Sequence, residues 1–60
     1  MTLTKQLLQE QDFTFTNLEE DLIEVSMLKG KFFLWLNGDM VKSTKSLKPI
    51  QDKLNFLLNN

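Results

Sequence analysis

Lys31-Phe32-Phe33-Leu34-Trp35-Leu36-Asn37-Gly38-Asp39 is the stretch on which the fold of this 60-residue chain turns. Its large apolar residues, Phe32 to Leu36, run straight into Asn37-Gly38. That dipeptide is the strongest short-range signal for a two-residue hairpin turn, because both turn positions take positive φ and Asn and Gly tolerate it best. The run therefore reads as the central strand of a small sheet, entered through Lys29-Gly30 and left through Asn37-Gly38.

Two-residue turns at both ends fix the pairing. Met27 falls opposite Phe32, Val25 opposite Leu34 and Ile23 opposite Leu36 on one side, with Leu34 opposite Val41 and Trp35 opposite Met40 on the other. One face then carries Ile23, Val25, Met27, Phe32, Leu34, Leu36 and Val41, a set that a one-residue slip in either turn would scatter.

Working upstream, Leu22 to Leu28 holds β-branched Ile23 and Val25, and its apolar residues alternate with Glu24 and Ser26, which argues for a strand. Asn17-Leu18-Glu19-Glu20 just before it has the form of a helix cap with an acid three residues on, and Leu18, Leu22 and Val25 are spaced like a helical stripe. A single helical turn at Asn17 to Asp21, followed by the strand, satisfies both patterns. Phe13 and Phe15 alternate with Asp12, Thr14 and Thr16, which fits a brief edge strand or an extended loop whose rings plug the core, and the loop is the expectation. Leu3, Leu7 and Leu8, with Thr2 or Thr4 as cap, predict a short first helix over Thr2 to Gln11.

Downstream the reading is clearest. Ser46 suits an N-cap, Pro49 falls in the first turn where its missing N–H costs nothing, and Leu47, Ile50, Leu54, Leu57 and Leu58 form one stripe to cover the apolar face. The expected fold is a single α+β domain over 1–60, a three-stranded antiparallel meander flanked by an N-terminal and a C-terminal helix (α-β-β-β-α).

A chain this short buries only about 60% of the surface its unfolded form exposes, so a partner or a second copy is a natural source of added stability. There is no cysteine to form a disulfide or a thiolate metal site. The N-terminus lacks a basic region followed by an apolar one, and the apolar run Phe32 to Leu36 is far too short to span a bilayer, so a cytoplasmic location without membrane insertion is expected. Arg, His, Ala, Cys and Tyr are missing while Lys, Asn, Leu and Phe abound, a bias that fits an AT-rich coding sequence of the kind found in low-GC bacteria, their phages and plasmids.

The net charge of −1 hides a segregation. Between Gln9 and Leu28 lie Glu10, Asp12, Glu19, Glu20, Asp21 and Glu24 without a single lysine; from Lys29 onward the lysines outnumber Asp39 and Asp52. Such a bipolar pattern serves head-to-tail contacts or neutralises itself within the fold.

The residues that carry a functional reading sit on the second face of the sheet. Phe33 and Trp35 share it with Leu28 and Met40, with Glu24 and Lys42 at the margin. An aromatic and thioether cluster of this kind is enriched at protein interfaces. Either the first helix folds over it and makes it core, or it docks a second copy of the chain or another protein, ahead of a small ligand. Phe56 falls off the leucine stripe of the last helix, among Lys48, Asp52, Asn55 and Asn59, and joins the interface set if it meets Trp35 across a dimer.

Lys42, Lys45 and Lys48 lead into the last helix and offer the alternative reading, weak contact with RNA or DNA phosphates. In element order, α-β-β-β-α, the chain resembles the double-stranded-RNA-binding domain, and the resemblance implies that lysines at the start of the last helix dock onto phosphates. It lacks that family's clustered lysines with alanine and its Gly-Pro-His-type loop, and has no arginine for bidentate contacts. A third reading makes the acidic run Glu19, Glu20, Asp21 and Glu24 the working surface of a small phage- or plasmid-type inhibitor that imitates nucleic-acid charge; the spaced oxygen donors of a calcium loop are missing from it.

Catalysis is not expected. No His or Cys serves as base, nucleophile or soft ligand, Ser26, Ser43 and Ser46 have no evident activator, and Gly30 and Gly38 alone make no phosphate-cradling loop. No cofactor, metal or small-molecule substrate is expected either.

Overall fold

The computed structural model describes residues 3–59. The chain forms α1 (Lys5–Glu10), β1 (Phe13–Thr16), β2 (Leu22–Leu28), β3 (Lys31–Leu36), β4 (Asp39–Thr44) and α2 (Leu47–Leu58), and its strands make one antiparallel sheet in the order β1-β2-β3-β4. The α+β class stands, but the sheet has four strands where the sequence predicted three. Phe13–Thr16 is a strand rather than a loop, with Phe13 opposite Val25 and Phe15 opposite Ile23. Pairing with β2 satisfies its backbone, which a buried loop would leave unpaired.

Both hairpin turns form as expected. Lys29 and Gly30 have φ of 53° and 78°, Asn37 and Gly38 have 53° and 89°, and positive φ at both central residues is the turn whose twist matches the flanking strands. The register of β2 on β3 follows, with Ile23 opposite Leu36, Val25 opposite Leu34 and Met27 opposite Phe32.

On the other side the pairing holds for Trp35 opposite Met40 and then shifts. Leu34 lies opposite Lys42, not Val41, because β4 carries one extra residue at that point. Val41 consequently leaves the apolar face and is 43% exposed, while Lys42 takes the inward register and is half-buried. Bulges and inward-facing lysines are both devices that keep an edge strand from pairing with other chains.

The core lies on one face of the sheet. Ile23, Val25 and Leu34 from the strands and Ile50 and Leu54 from α2 lose all contact with solvent, and Leu3, Leu8, Phe32 and Leu57 join them. Leu3 and Leu8 belonging to this cluster means that α1 packs on the same face as α2, chiefly over β2, while α2 covers β3 and β4. The Leu3 amide donates to the Gln51 side chain and ties the segment leading into α1 to α2. Leu7, read with Leu3 and Leu8 as one stripe, stays outside the core cluster and is 39% exposed.

Caps differ in detail from the sequence reading. Thr4 caps α1, its Oγ1 accepting from the Leu7 amide at 3.2 Å, while Thr2 lies outside the described residues. Ser46 occupies the N-cap of α2 without a side-chain cap bond; the Thr44 hydroxyl donates to its carbonyl instead. Among the described residues, no helix is long and apolar enough to cross a membrane.

Candidate functional site: the uncovered sheet face

With both helices on one side, the strand residues of opposite parity form the second face. Register places them in rows: Thr14, Glu24, Trp35 and Met40 in one, Ser26, Phe33 and Ser43 in the next, Leu28 and Lys31 beyond that, and Thr16 with Leu22 at the other end. Residues in a row lie about 5 Å apart and touch directly. Phe33 and Trp35, two residues apart on β3, stack with centroids 5.7 Å apart and planes at 27°. Each is half-buried by its neighbours alone, and beside them Leu28 is 63% and Met40 57% exposed. The structure thus brings Phe33, Trp35, Met40 and Leu28 together on a face that no element of the described chain covers.

Other residues singled out from the sequence are dispersed. Phe56 is 59% exposed on the outer side of α2, across the sheet from Trp35, with the Lys53 ammonium 5.1 Å from its ring centre. Lys42 is half-buried in the inward register of β4, Lys45 is exposed in the connection to α2, and Lys48 is exposed in the first turn of α2, 3.5 Å from Asp52. The fourth strand also takes the element order away from α-β-β-β-α, and with it the resemblance to the double-stranded-RNA-binding domain.

The acidic run divides into separate roles. Glu24 stands on the uncovered face opposite Trp35, whereas Glu19 and Glu20 are exposed in the β1–β2 loop. Asp21 is structural. Its carboxylate accepts from Asn37 Nδ2 at 3.0 Å and Asn17 Nδ2 at 3.2 Å, and these hydrogen bonds, Asn37 first, hold its pKa below the ordinary aspartate value. Asn17 in turn accepts from the Glu19 and Asp21 amides, each at 3.0 Å, and donates to the Leu57 carbonyl at 3.2 Å. One turn forms here, with the Glu20 amide donating to the Asn17 carbonyl, but Glu20 takes a φ of 64° and no helix propagates. Asn17 therefore caps a loop, not a helix, and Asn17, Asp21 and Asn37 lock two turns and the end of α2 into one corner.

Three features escaped the sequence reading. Leu22 lies on the uncovered face at 40% exposure, and the threonines of β1 extend that face; both follow from period-2 alternation once the strand limits are known. Leu18, spaced with Leu22 and Val25 like a helical stripe, is instead 90% exposed at the tip of the β1–β2 loop. Among the described residues no pocket is found, and no group of three or more acidic side chains is placed to hold a metal ion.

No protein-family model, curated protein or solved structure matches the chain. The fold itself defines the class: a small α+β domain in which a four-stranded antiparallel meander carries two helices on one face and leaves an aromatic face open.

Proposed function

We propose that this chain is a non-enzymatic interaction module that docks the Phe33, Trp35, Met40 and Leu28 face onto a protein partner or a second copy of itself. The observation that carries this reading is the placement of α1. Because Leu3 and Leu8 pack into the cluster with Ile23 and Val25, the first helix is committed to the inner face and the aromatic patch keeps its exposure. Stacked aromatics beside a flexible thioether, bordered by Glu24 and Lys31, have the composition of an interface centre with a polar rim. Phosphate binding through lysines draws less support, since Lys42 is half-buried and Lys48 stands within reach of Asp52.

The test is Trp35→Ala and Phe33→Asp, each examined by circular dichroism and by association. Both are expected to stay folded and to lose binding through this face. Loss of fold in both would put the side chains in the core and end the reading.

A further inference from the structure

The strands run between two ends of opposite charge. Asn37 Nδ2 bonding to Asp21, and Asn17 Nδ2 to the Leu57 carbonyl, place the β1–β2 loop, the Asn37-Gly38 turn and the end of α2 together. That end carries Glu19, Glu20, Asp21 and Asp39. The opposite end holds the Lys29-Gly30 turn, Lys31, Lys45 and the start of α2 with Lys48, flanked by Asp12 ahead of β1. Part of each charged segment thus marks an end of the sheet, Glu19 to Asp21 and Asp39 at one and Lys29, Lys31 and Lys45 at the other, while Glu24 and Lys42 lie between them.

We infer that the occupant of the uncovered face is a second copy of this chain, packed sheet on sheet about a two-fold axis lying along the Ser26, Phe33 and Ser43 row, so that opposite poles meet. The inference rests on the docking reading above and adds the partner and its orientation. A two-fold contact must be self-complementary, each residue meeting a partner that meets it in return. Rotation about this row sets Phe33 against its own copy and lays the row of Glu24, Trp35 and Met40 over the row of Leu28 and Lys31. The Lys31 ammonium then comes over an acid and an indole, both of which attract a cation. The end of each copy that holds the β1–β2 loop with Glu19 then lies over the end of the other that holds Lys29 and Lys45. A two-fold axis parallel to the strands would instead stack like poles on each other, a repulsive arrangement.

Four strands about 4.8 Å apart and roughly six residues long give a face of only some 400 Å² per copy in projection. The pair stays under the ~1,200 Å² at which stable interfaces begin, so a dimer that dissociates on dilution is expected.

Sedimentation equilibrium across a dilution series, at about 20 and 300 mM salt, tests this. Three samples are compared: the unaltered chain, Glu19→Lys with Asp39→Lys (acidic pole reversed), and Lys31→Glu with Lys45→Glu (basic pole reversed). Circular dichroism checks the fold of each. The unaltered chain should dimerise, several-fold more weakly at the higher salt. Each reversed chain alone should bind itself about tenfold more weakly, and mixing the two should restore the dimer. A dimer that strengthens with salt, or a reversed chain that dimerises unimpaired, overturns the opposite-pole orientation. If the unaltered chain is monomeric at about 1 mM with Trp35 quenchable by solvent, the second copy is ruled out as occupant while the docking face stands. If Phe33→Asp dimerises as tightly as the unaltered chain, both inferences fall.

Discussion

On the helix side of the sheet Ile23, Val25 and Leu34 lose all contact with solvent, whereas on the far side Phe33 and Trp35, the chain neighbours of Leu34, keep part of their rings in water. The same four strands supply both faces, so backbone pairing contributes equally to each. What separates them is the company: two helices pack their leucines and isoleucine onto one face and nothing in the described chain packs onto the other. A face that stabilises the monomer is recognised by full burial, and a face available for a partner by large apolar side chains that stop short of it. The difference can be broken from either side by mutation.

The inner face should respond most. Leu34→Ala is expected to cost about 2 to 5 kcal/mol in urea denaturation, most of the roughly 3 to 9 kcal/mol available to a chain of this size. The polar corner comes next. Asn17→Ala removes bonds to two loop amides, to Asp21 and to the Leu57 carbonyl, and should lower stability by about 1 to 3 kcal/mol. On the outer face, Trp35→Ala should cost the dilute monomer only about 1 kcal/mol, the scale of cross-strand contacts, while disrupting association. A loss as large as that of Leu34→Ala would erase the distinction between the faces.

The smallest effect is a titration. Because Asn37 and Asn17 hold the Asp21 carboxyl below its ordinary value of 3.8, the stability this carboxylate contributes is complete above that value and is lost as the pH falls through it toward the lower folded value. Urea midpoints measured against pH should fall on the acid side in the unaltered chain and flatten in Asp21→Asn. Equal slopes in the two would show that the corner does not depend on this charge.

Much of this architecture was legible because local and long-range signals agreed. Asn37-Gly38 and Lys29-Gly30 each set a turn, and the alternation of Ile23, Val25 and Met27 against Phe32, Leu34 and Leu36 set the same register independently. The features that escaped are those decided by partners distant in sequence. Phe13 to Thr16 alternates equally well as a loop or a strand, and only pairing with β2 selects the strand. The extra residue near Val41 leaves no mark on a pattern in which Val41 and Lys42 are adjacent. Asn17 shows the same side-chain chemistry whether it caps a helix or closes a loop. For the candidate site, the cluster of Phe33, Trp35, Met40 and Leu28 followed from turn geometry, but its exposure depended on which face α1 would choose. The stripe of Leu3, Leu7 and Leu8 fits either side; the cluster around Ile50 and Leu54 settled it.

The most direct test of an open aromatic face is the solvent access of Trp35, the only tryptophan in the chain, measured by acrylamide quenching and emission maximum from dilute to concentrated samples. The uncovered face predicts efficient quenching and red-shifted emission when dilute, with protection and a blue shift as the copies associate. Emission that is blue-shifted, protected and unchanged at every concentration in a monomeric chain would mean that the face is covered from within, and would contradict the account at its centre.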